Sequence, residues 1–396
     1  MTGPQQSSAP THSPGSQGSL RKRNQQRVVE ALVRVGASTQ ADLARRTGLS
    51  TATISNIVST MAKNGLVSLT PTTSSGRRAV SVQLLASDGA IAAGIGFGRR
   101  HLRVVLIYPD YQIAAEESIV LPQKYDPRVG FALAQELLDK LLVETGTSWD
   151  ALTGVGIGIP GAIDNRDLMP VLGTVWAEWA FVDVVVEMEA RLGVPVILDN
   201  DANLGSVAET IWGPFGGARN LVYLKVGSGI GAGLILNGQP FNGATGVTGE
   251  VGHVQVVQDG RACRCGNRGC LEAEASISAM LERLAGVTDI ESTEQLVDAA
   301  LLGDVAAIRV IEDAARMIGR VIGDLASILS PEVIIIGGPL AVLGEGILEP
   351  VSRAFERHVL PLVRDATALV TSTLDDRGEA LGAAALVFHR EAVRVL

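Results

Sequence analysis

The apolar positions near the N-terminus recur at helical spacing and predict three helices. The apolar faces of the first and third helices are formed by Val28, Val29, Leu32 and Val33, and by Ile54, Ile57, Val58 and Met61. Between them, a capping-box pattern from Thr39 to Asp42 begins the second helix, and Gly48 ends it. Ser50 is placed to cap the third helix. A short helix, a tight glycine turn and a further helix predict a helix-turn-helix.

Beyond Gly65 the hydrophobic period changes from that of a helix to that of a strand. Residues 66–69 and 80–84 alternate between apolar and polar side chains and predict two strands. The turn-rich segment from Pro71 to Arg78 predicts the tip of a hairpin between them. A hairpin that follows a helix-turn-helix indicates a winged helix-turn-helix.

Two groups of residues in this head are suited to contact DNA. Small polar side chains on the early, outward face of the third helix can reach base edges in the major groove, and two wing arginines can enter a minor groove. The predicted DNA contacts are Ser50, Thr51, Thr53, Ser55, Asn56, Arg77 and Arg78. The alternative is a helical protein-interaction or dimerisation module with the same core spacing.

From Ala90 onward, apolar strands alternate with helices. Strand triplets followed by strand–helix units occur twice, which predicts two α/β lobes with a cleft between them. The predicted strands are Ile91–Ile95, Leu102–Ile107, Ile113–Val120, Gly154–Ile159, Val194–Asp199, Leu221–Val226 and Val333–Ile336. The predicted helices are Phe131–Glu144, Val182–Leu192, Ala202–Trp212, Val305–Leu329 and Leu340–His358.

Charge is divided unevenly along the chain of 396 residues. Residues 1–88 contain 10 Lys and Arg against 3 Asp and Glu, whereas the remainder contains 23 against 39. A basic head on an acidic body indicates that only the head approaches a polyanion such as double-stranded DNA.

Composition excludes several classes of protein. No run of apolar residues is long enough for a transmembrane helix, so we expect no membrane partner. The first eighteen residues are rich in Pro, Ser, Gly and Gln, lack the apolar core of a signal peptide, and predict a disordered tail. The three cysteines all lie between Cys263 and Cys270, which excludes a disulfide framework and favours a cytoplasmic protein.

One histidine and all three cysteines lie within eighteen residues: His253, Cys263, Cys265 and Cys270. Three thiolates and one imidazole form a closed tetrahedral set, which predicts one structural zinc ion per chain. Gly266 and Gly269 allow the loop to turn tightly around the ion. The alternative is a group of free buried thiols.

The segment Gly249–His253, followed by Cys263–Glu272, resembles the signature of the ROK family (repressors, open reading frames and sugar kinases). The resemblance extends over nearly the whole chain, to Leu381–Ala385. It implies an α/β body of two lobes with an actin-like, ribonuclease-H-like fold, and members with a winged head are mostly regulators of sugar metabolism. The expected regions are a disordered tail (1–18), the winged helix-turn-helix (19–87) and a ROK domain (88–396) with its zinc loop at 250–272.

Matching the family motif to this chain implies a sugar site. The residues implied to contact sugar hydroxyls are Asn200, Asp201, Glu250, His253 and Glu272. His253 can serve both sites, because one ring nitrogen can bind zinc while the other faces the sugar. The alternative for each carboxylate is a helix cap or a surface charge.

One segment on the sugar side of the site departs from the family. Glucose-phosphorylating relatives usually carry an Asn-containing segment where this chain has Val171–Trp179. Here Trp176 or Trp179 either stacks on a sugar ring or belongs to the core.

The phosphate side of the site departs from the kinases of the family. Asp201 matches their catalytic base, a glycine loop runs from Gly227 to Gly233, and Gly337 and Gly338 resemble the adenosine-side motif. Kinases carry Asp-x-Gly-x-Thr after the first strand, however, where this chain has Gly96 and Arg100 in the acidic and hydroxyl positions. Because phosphoryl transfer depends on positioning and charge neutralisation, we expect Asp201 to be a vestigial base in a protein that is not an enzyme.

The expected function is a repressor of carbohydrate uptake or catabolic genes. A homodimer or homotetramer would place two third helices in successive major grooves of a near-palindrome. A free or phosphorylated sugar in the cleft would release or alter DNA binding. The alternatives are a sugar kinase with a DNA-binding head and a regulator controlled by a partner protein, and the sequence leaves activation open as well as repression.

Overall fold

The computed structural model describes residues 24–394 except 26, 30, 33–36, 64–66, 75–76, 85–89 and 123–124. The tail predicted over residues 1–18 lies outside the described residues, as do Val33, Gly36, Asn64 and Gly65 at the predicted helix boundaries. The chain divides into two compact units, Met1–Gly89 with Phe388–Leu396, and Ala90–Val387. Among the described residues, no helix is both long enough and apolar enough to cross a bilayer.

Among the described residues up to Leu84, the first unit contains three helical segments. They are α1 (residues 24–25, 27–29 and 31–32), α2 (Gln40–Thr47) and α3 (Thr51–Lys63). The start of α2 is capped by Thr39, whose hydroxyl accepts from the N–H of Asp42, and α2 ends at Gly48 with a φ of 64°. The predicted apolar face of α3 is buried against α1 and α2. The helix-turn-helix is therefore built as the spacing predicts.

The wing is longer than the sequence predicts. Its strands are β1 (Ser38–Thr39), β2 (Val67–Ser74) and β3 (Arg77–Leu84), in the order β1-β3-β2. The prediction of a turn over Pro71–Arg78 is wrong, because β2 and β3 pair as far as Ser74 and Arg77. Pro71 is accommodated because β2 is an edge strand, where a missing N–H breaks no ladder bond.

The second unit contains two five-stranded sheets. The first has the order β6-β5-β4-β7-β8, and the second the order β11-β10-β9-β12-β13. The strands of the first sheet are β4 (Ile91–Phe97), β5 (His101–Ile107), β6 (Ile113–Val120), β7 (Leu152–Ile159) and β8 (Val196–Asn200). Those of the second are β9 (Leu221–Val226), β10 (Ile230–Leu236), β11 (Gln239–Pro240), β12 (Val333–Gly337) and β13 (Ala368–Thr371).

Helices cover both sheets and complete a large hydrophobic core against each of them. They are α4 (Pro127–Glu144), α5 (Val184–Leu192), α6 (Asp201–Ile211), α7 (Leu271–Ala275), α8 (Ile277–Leu284), α9 (Thr293–Leu301), α10 (Val305–Leu329), α11 (Glu345–Glu356), α12 (Pro361–Ala366) and α13 (Gly378–Arg394). The single helix predicted over Leu340–His358 is wrong. Gly344, with φ 53° and ψ −119°, separates a 3-10 turn (Pro339–Leu343) from α11.

Helices α6 and α13 contact each other between the two sheets. A Cβ atom at Gly156 of β7 would lie 1.9 Å from the carbonyl oxygen of Ala383, so α13 packs with its backbone directly on the first sheet. A Cβ atom at Gly382 would lie 1.9 Å from the carbonyl oxygen of Leu204, so the backbones of α13 and α6 are also in direct contact. Helix α6 in turn packs on β9 and β10 of the second sheet.

Candidate functional site

A cavity of about 180 Å³ lies between the two sheets of the second unit. Its walls come from the residues that follow β4, β7, β9 and β12, from the end of β8, and from the segment 250–272. Ligands of α/β proteins bind at the carboxyl ends of strands, where loops and helix N-termini present polar groups. This cavity is therefore the candidate binding site.

All five residues predicted to contact sugar line this cavity: Asn200, Asp201, Glu250, His253 and Glu272. Two of them come from the junction of β8 and α6, and three come from the segment that follows β11. The structure thus brings the set together, and the hydroxyl contacts themselves stay a prediction.

Asn200 is the N-cap of α6, and this role uses much of its hydrogen-bonding capacity. Its Oδ1 accepts from the N–H groups of Ala202 (2.8 Å) and Asn203 (3.2 Å), and its Nδ2 donates to the carbonyl of Gly161 over 2.9 Å. A side-chain amide has two N–H donors, so these bonds leave one donor for a ligand.

Asp201 forms an ion pair with Lys225 that sequence reasoning missed. Its Oδ2 accepts from Lys225 Nζ over 2.6 Å, and its Oδ1 accepts from the N–H of Ala202 over 2.8 Å. Lys225 also pairs with Glu379 at the start of α13. Burial alone would lower the pKa of Lys225, but the two carboxylates raise it, and the ammonium stays charged. The available signal was a lysine in the otherwise apolar strand Leu221–Val226.

The two glutamates of the zinc-loop segment have different environments. Glu272 Oε2 accepts from the N–H of Ile230 over 3.1 Å, and Oε1 lies 2.9 Å from the guanidinium of Arg264. Among the described residues, the polar neighbour of Glu250 is His253, whose Nε2 lies 3.5 Å from Oε2. Burial, followed by the charges of Asp201 and Glu272, raises the pKa of Glu250 to about 7. Glu250 therefore has acceptor capacity left for a ligand.

The predicted metal ligands form one cluster: His253, Cys263, Cys265 and Cys270. Their ligand atoms all lie within 4.8 Å of one another, with His253 Nδ1 3.5 Å from Cys263 Sγ and Cys265 Sγ 3.7 Å from Cys270 Sγ. Tetrahedral zinc with Zn–S distances of about 2.3 Å separates its ligands by roughly 3.8 Å. The cluster therefore fits a tetrahedral metal ion, and His253 presents one nitrogen to the thiols and the other to the cavity.

Trp176 and Trp179, which the sequence leaves open between ring stacking and the core, lie in different places. Trp179 is buried and packs edge-on against Phe131 and Tyr125. Trp176 lines the cavity, with the Arg99 guanidinium 5.9 Å from its ring centroid. Trp179 is thus a core residue, and Trp176 is part of the site.

The turn that follows β4 differs from the phosphate loop of a kinase. After β4, the N–H of Gly98 donates to the carbonyl of His101 over 2.9 Å, and this tight turn places Arg99 and Arg100 in the wall. The glycine loop predicted from Gly227 to Gly233 is largely strand β10. Gly233 is required there by packing, because a Cβ atom would lie 2.2 Å from the carbonyl oxygen of Ala202.

The predicted DNA contacts of the head lie at its surface where the structure describes their side chains. Ser50, Thr51, Ser55 and Asn56 are exposed at the N-terminal half of α3, and Thr53 is half-buried. Ser50 caps α3, because its hydroxyl accepts from the N–H of Thr53 over 3.1 Å. Arg77 and Arg78 begin β3, and their side chains lie outside the described part of the chain.

Comparison with known proteins identifies the family. A model of the ROK family matches residues 92–390. The chain belongs to the ROK family. A MarR family model matches residues 22–78, which contain the helices of the first unit and most of its wing. The expected fold class, an actin-like two-lobed α/β body with a winged helix-turn-helix, is confirmed.

Relatives of this ROK protein include regulators and a kinase. It is 26% identical over 376 residues to the xylose repressor of Bacillus spizizenii, covering 93% of this chain and 96% of the repressor. It is 33% identical over 275 residues to a glucokinase of Halalkalibacterium halodurans, covering 65% of this chain and 82% of the kinase. A solved ROK family transcriptional regulator, a homologue of the Escherichia coli MLC protein, superposes with a TM-score of 0.74 at 24% identity, covering 95% of this chain and 97% of that regulator.

Proposed function

We propose that this ROK protein is a sugar-responsive, DNA-binding transcriptional regulator that represses carbohydrate uptake or catabolic genes. A sugar in the cleft releases the protein from a double-stranded operator or alters its binding. One observation carries this proposal: the cleft keeps the residues that can recognise sugar hydroxyls, while Lys225 holds the carboxylate of Asp201 that a kinase would use as its base.

The sugar side of the cleft supports a hydroxyl-binding role. Sugar hydroxyls both donate and accept hydrogen bonds, so their pocket requires carboxylates together with donors. Glu250 and Glu272 supply acceptors, while Asn200 and the Nε2 side of His253 supply the groups that complete the set. Asp201 contributes its carboxylate to the same cluster and is not proposed to act as a base.

The His253 and cysteine cluster supports a structural zinc ion, one per chain. When bound, zinc would fix the loop 250–272 and hold the His253 ring by its Nδ1. The side chains that face the sugar would then be positioned by the loop, and the metal itself would not contact the ligand.

The winged head supports operator binding. We propose that the early, exposed residues of α3 read base edges and that Arg77 and Arg78 enter the adjacent minor groove. We propose a homodimer or homotetramer on a near-palindromic operator, because two heads with two-fold symmetry match two half-sites.

Fluorescence anisotropy on labelled operator fragments tests the proposal. The zinc-loaded full-length protein is titrated with free and phosphorylated sugars, with and without Mg-ATP. We expect one sugar to release or weaken DNA binding without ATP turnover. Phosphorylation of a sugar would instead establish a kinase, and DNA binding that no sugar alters would favour a regulator controlled by a protein partner.

Two variants locate the DNA surface in the same assay. Asn56→Ala should weaken specific binding, since a lost bidentate base contact costs about 1–3 kcal/mol. Ser59→Ala, which changes an exposed residue one turn further along α3, is the matched control and should retain operator affinity.

A further inference from the structure

A second, larger cavity adjoins the sugar cleft. It has a volume of about 600 Å³ and shares three wall residues with the first cavity, namely Arg99, Trp176 and Arg264. Pockets that enclose a small-molecule ligand typically measure about 300–1,000 Å³. The first cavity, at about 180 Å³, is below this range, whereas the second lies within it.

The second cavity has an aromatic and apolar wall that faces water. Phe181 is 80% exposed and Leu172 is 61% exposed, and both line the cavity together with Trp176. A single exposed apolar side chain is normal on a protein surface. In this cavity, several apolar side chains share one concave wall with the polar residues Arg99 and Glu178. Apolar faces combined with a few polar groups are typical of sites that bind a ring bearing hydroxyls.

The zinc loop and the tryptophan segment hold the two cavities together. The backbone of Gly173 lies against the loop, since a Cβ atom there would be 3.4 Å from the Arg264 carbonyl and 3.5 Å from the Cys265 Cα. Arg264 pairs with Glu272 in the first cavity and also lines the second. The two cavities are therefore neighbours with a common wall formed by Arg99, Trp176 and Arg264.

We propose that the second cavity is a subsite for a second sugar ring, so that the effector is a disaccharide or a longer oligosaccharide. The inference rests on the proposed sugar-sensing function and names the class of its ligand. One ring lies against Glu250 and His253, the glycosidic link passes the Arg99 guanidinium, and the next ring lies on the wall formed by Trp176 and Phe181.

Calorimetric titration of the zinc-loaded full-length protein with matched sugars tests this subsite. The probes are xylose against xylobiose, glucose against cellobiose and maltose, and N-acetylglucosamine against chitobiose. We expect one disaccharide to bind about two- to tenfold tighter than its own monosaccharide, because its second ring gains a contact with the aromatic wall.

Three variants assign the preference to the cavity wall. Leu172→Ala and Phe181→Ala, which change exposed residues that line the second cavity and not the first, should each reduce the disaccharide preference while retaining monosaccharide binding. Phe241→Ala, which removes another partly exposed phenylalanine (44%), is the matched control and should keep the preference. Because both wall side chains are exposed, both variants are expected to fold.

The possible outcomes separate the subsite from the sugar sensor. If a monosaccharide binds as tightly as its disaccharides and releases operator DNA, the second-ring subsite is wrong and the sensor stands. If a disaccharide is preferred but neither wall variant changes that preference, this cavity is not the subsite. If no sugar in the panel binds or releases DNA, both proposals fail.

Discussion

The Nζ atom of Lys225 lies 2.6 Å from Oδ2 of Asp201, across the gap between β9 and the first turn of α6. The same ammonium pairs with Glu379, and the three side chains are at most 15% exposed. A single ammonium thus pairs with two buried carboxylates, one of which belongs to Asp201, the residue that matches the base of the family's kinases. The pair is therefore part of the buried structure as well as of the cleft wall.

Removing the ammonium should destabilise the protein. Lys225→Met leaves Asp201 and Glu379 buried without a countercharge, and breaking a buried ion pair in this way costs about 3–5 kcal/mol. Denaturant unfolding measures the loss. The triple variant Lys225→Met, Asp201→Asn, Glu379→Gln removes the stranded charges and should recover most of it. A triple variant no more stable than the single one would contradict this account.

Restoring the missing acidic residue should not restore a kinase. A Cβ atom at Gly96 would lie no closer than 3.5 Å to its neighbours, so the backbone there accepts a side chain. Lys225 still holds the Asp201 carboxylate, and we expect no sugar-dependent ATP hydrolysis in a coupled assay. Turnover by Gly96→Asp alone would show that the Asp201–Lys225 pair does not block the base.

Glu250→Gln should weaken the sugar response and leave operator affinity unchanged. The side chain lines the cleft and has acceptor capacity left for a sugar hydroxyl, and the loss of one hydrogen bond weakens binding by about two- to tenfold. The sugar concentration that half-releases operator DNA measures the effect. Glu349→Gln, an exposed glutamate on α11, is the control, and an unchanged response in Glu250→Gln would remove this residue from the site.

Removing zinc should abolish sugar binding before it affects DNA binding. The cluster fixes a loop that carries Glu250 and Glu272, whereas the residues proposed to contact DNA belong to the other unit. We expect Cys265→Ser to lose stoichiometric zinc in elemental analysis, to unfold at a lower temperature and to bind sugar weakly. Full sugar affinity in metal-free protein would contradict a role for zinc in shaping the cleft.

His101 should make stability depend on pH. Its ring packs beside Gly98 in the cleft wall, and burial lowers its pKa from the usual 6.5. Below about pH 6.5 the unfolded chain binds a proton at His101 that the folded protein does not bind. The contribution of His101 to the stability of the folded protein is therefore fully present above about pH 6.5, and it is lost as the pH falls towards the folded pKa of His101. Urea unfolding of wild type and His101→Gln between about pH 7 and pH 5 should show a steeper loss for wild type. Parallel curves would exclude His101 as the cause.

Elements with long, uninterrupted periodicity were predictable from sequence. Strand β6 and helix α10 begin and end where the pattern places them. Helix α10 buries one continuous face, whereas the residues of β6 are exposed or half-buried and only their alternation marked the strand. Strand β10 was missed because its glycines resemble a phosphate loop, and only the approach of α6 shows that they are packing residues. Strand β13 was missed because it is short and its residues are all half-buried.

The candidate site was only partly predictable, because a sequence pattern can reveal residues only where they lie close together in the chain. The zinc-loop residues lie close together in the sequence, so their spacing alone predicts the cluster. Lys225 and Glu379 are far apart in the chain, and no local pattern can reveal that they pair. The different environments of Trp176 and Trp179 likewise depend on Phe97 and Phe131, which pack around Trp179 from other elements.

The contact between Gly382 and Leu204 determines how the cleft can move. Helix α13 is fixed to the first sheet, α6 is fixed to the second, and at this point no side chain separates their backbones. Surfaces packed so closely cannot part without leaving a void, but they can roll on each other. If a ligand draws the lobes together, we therefore expect a rotation about this contact rather than a translation.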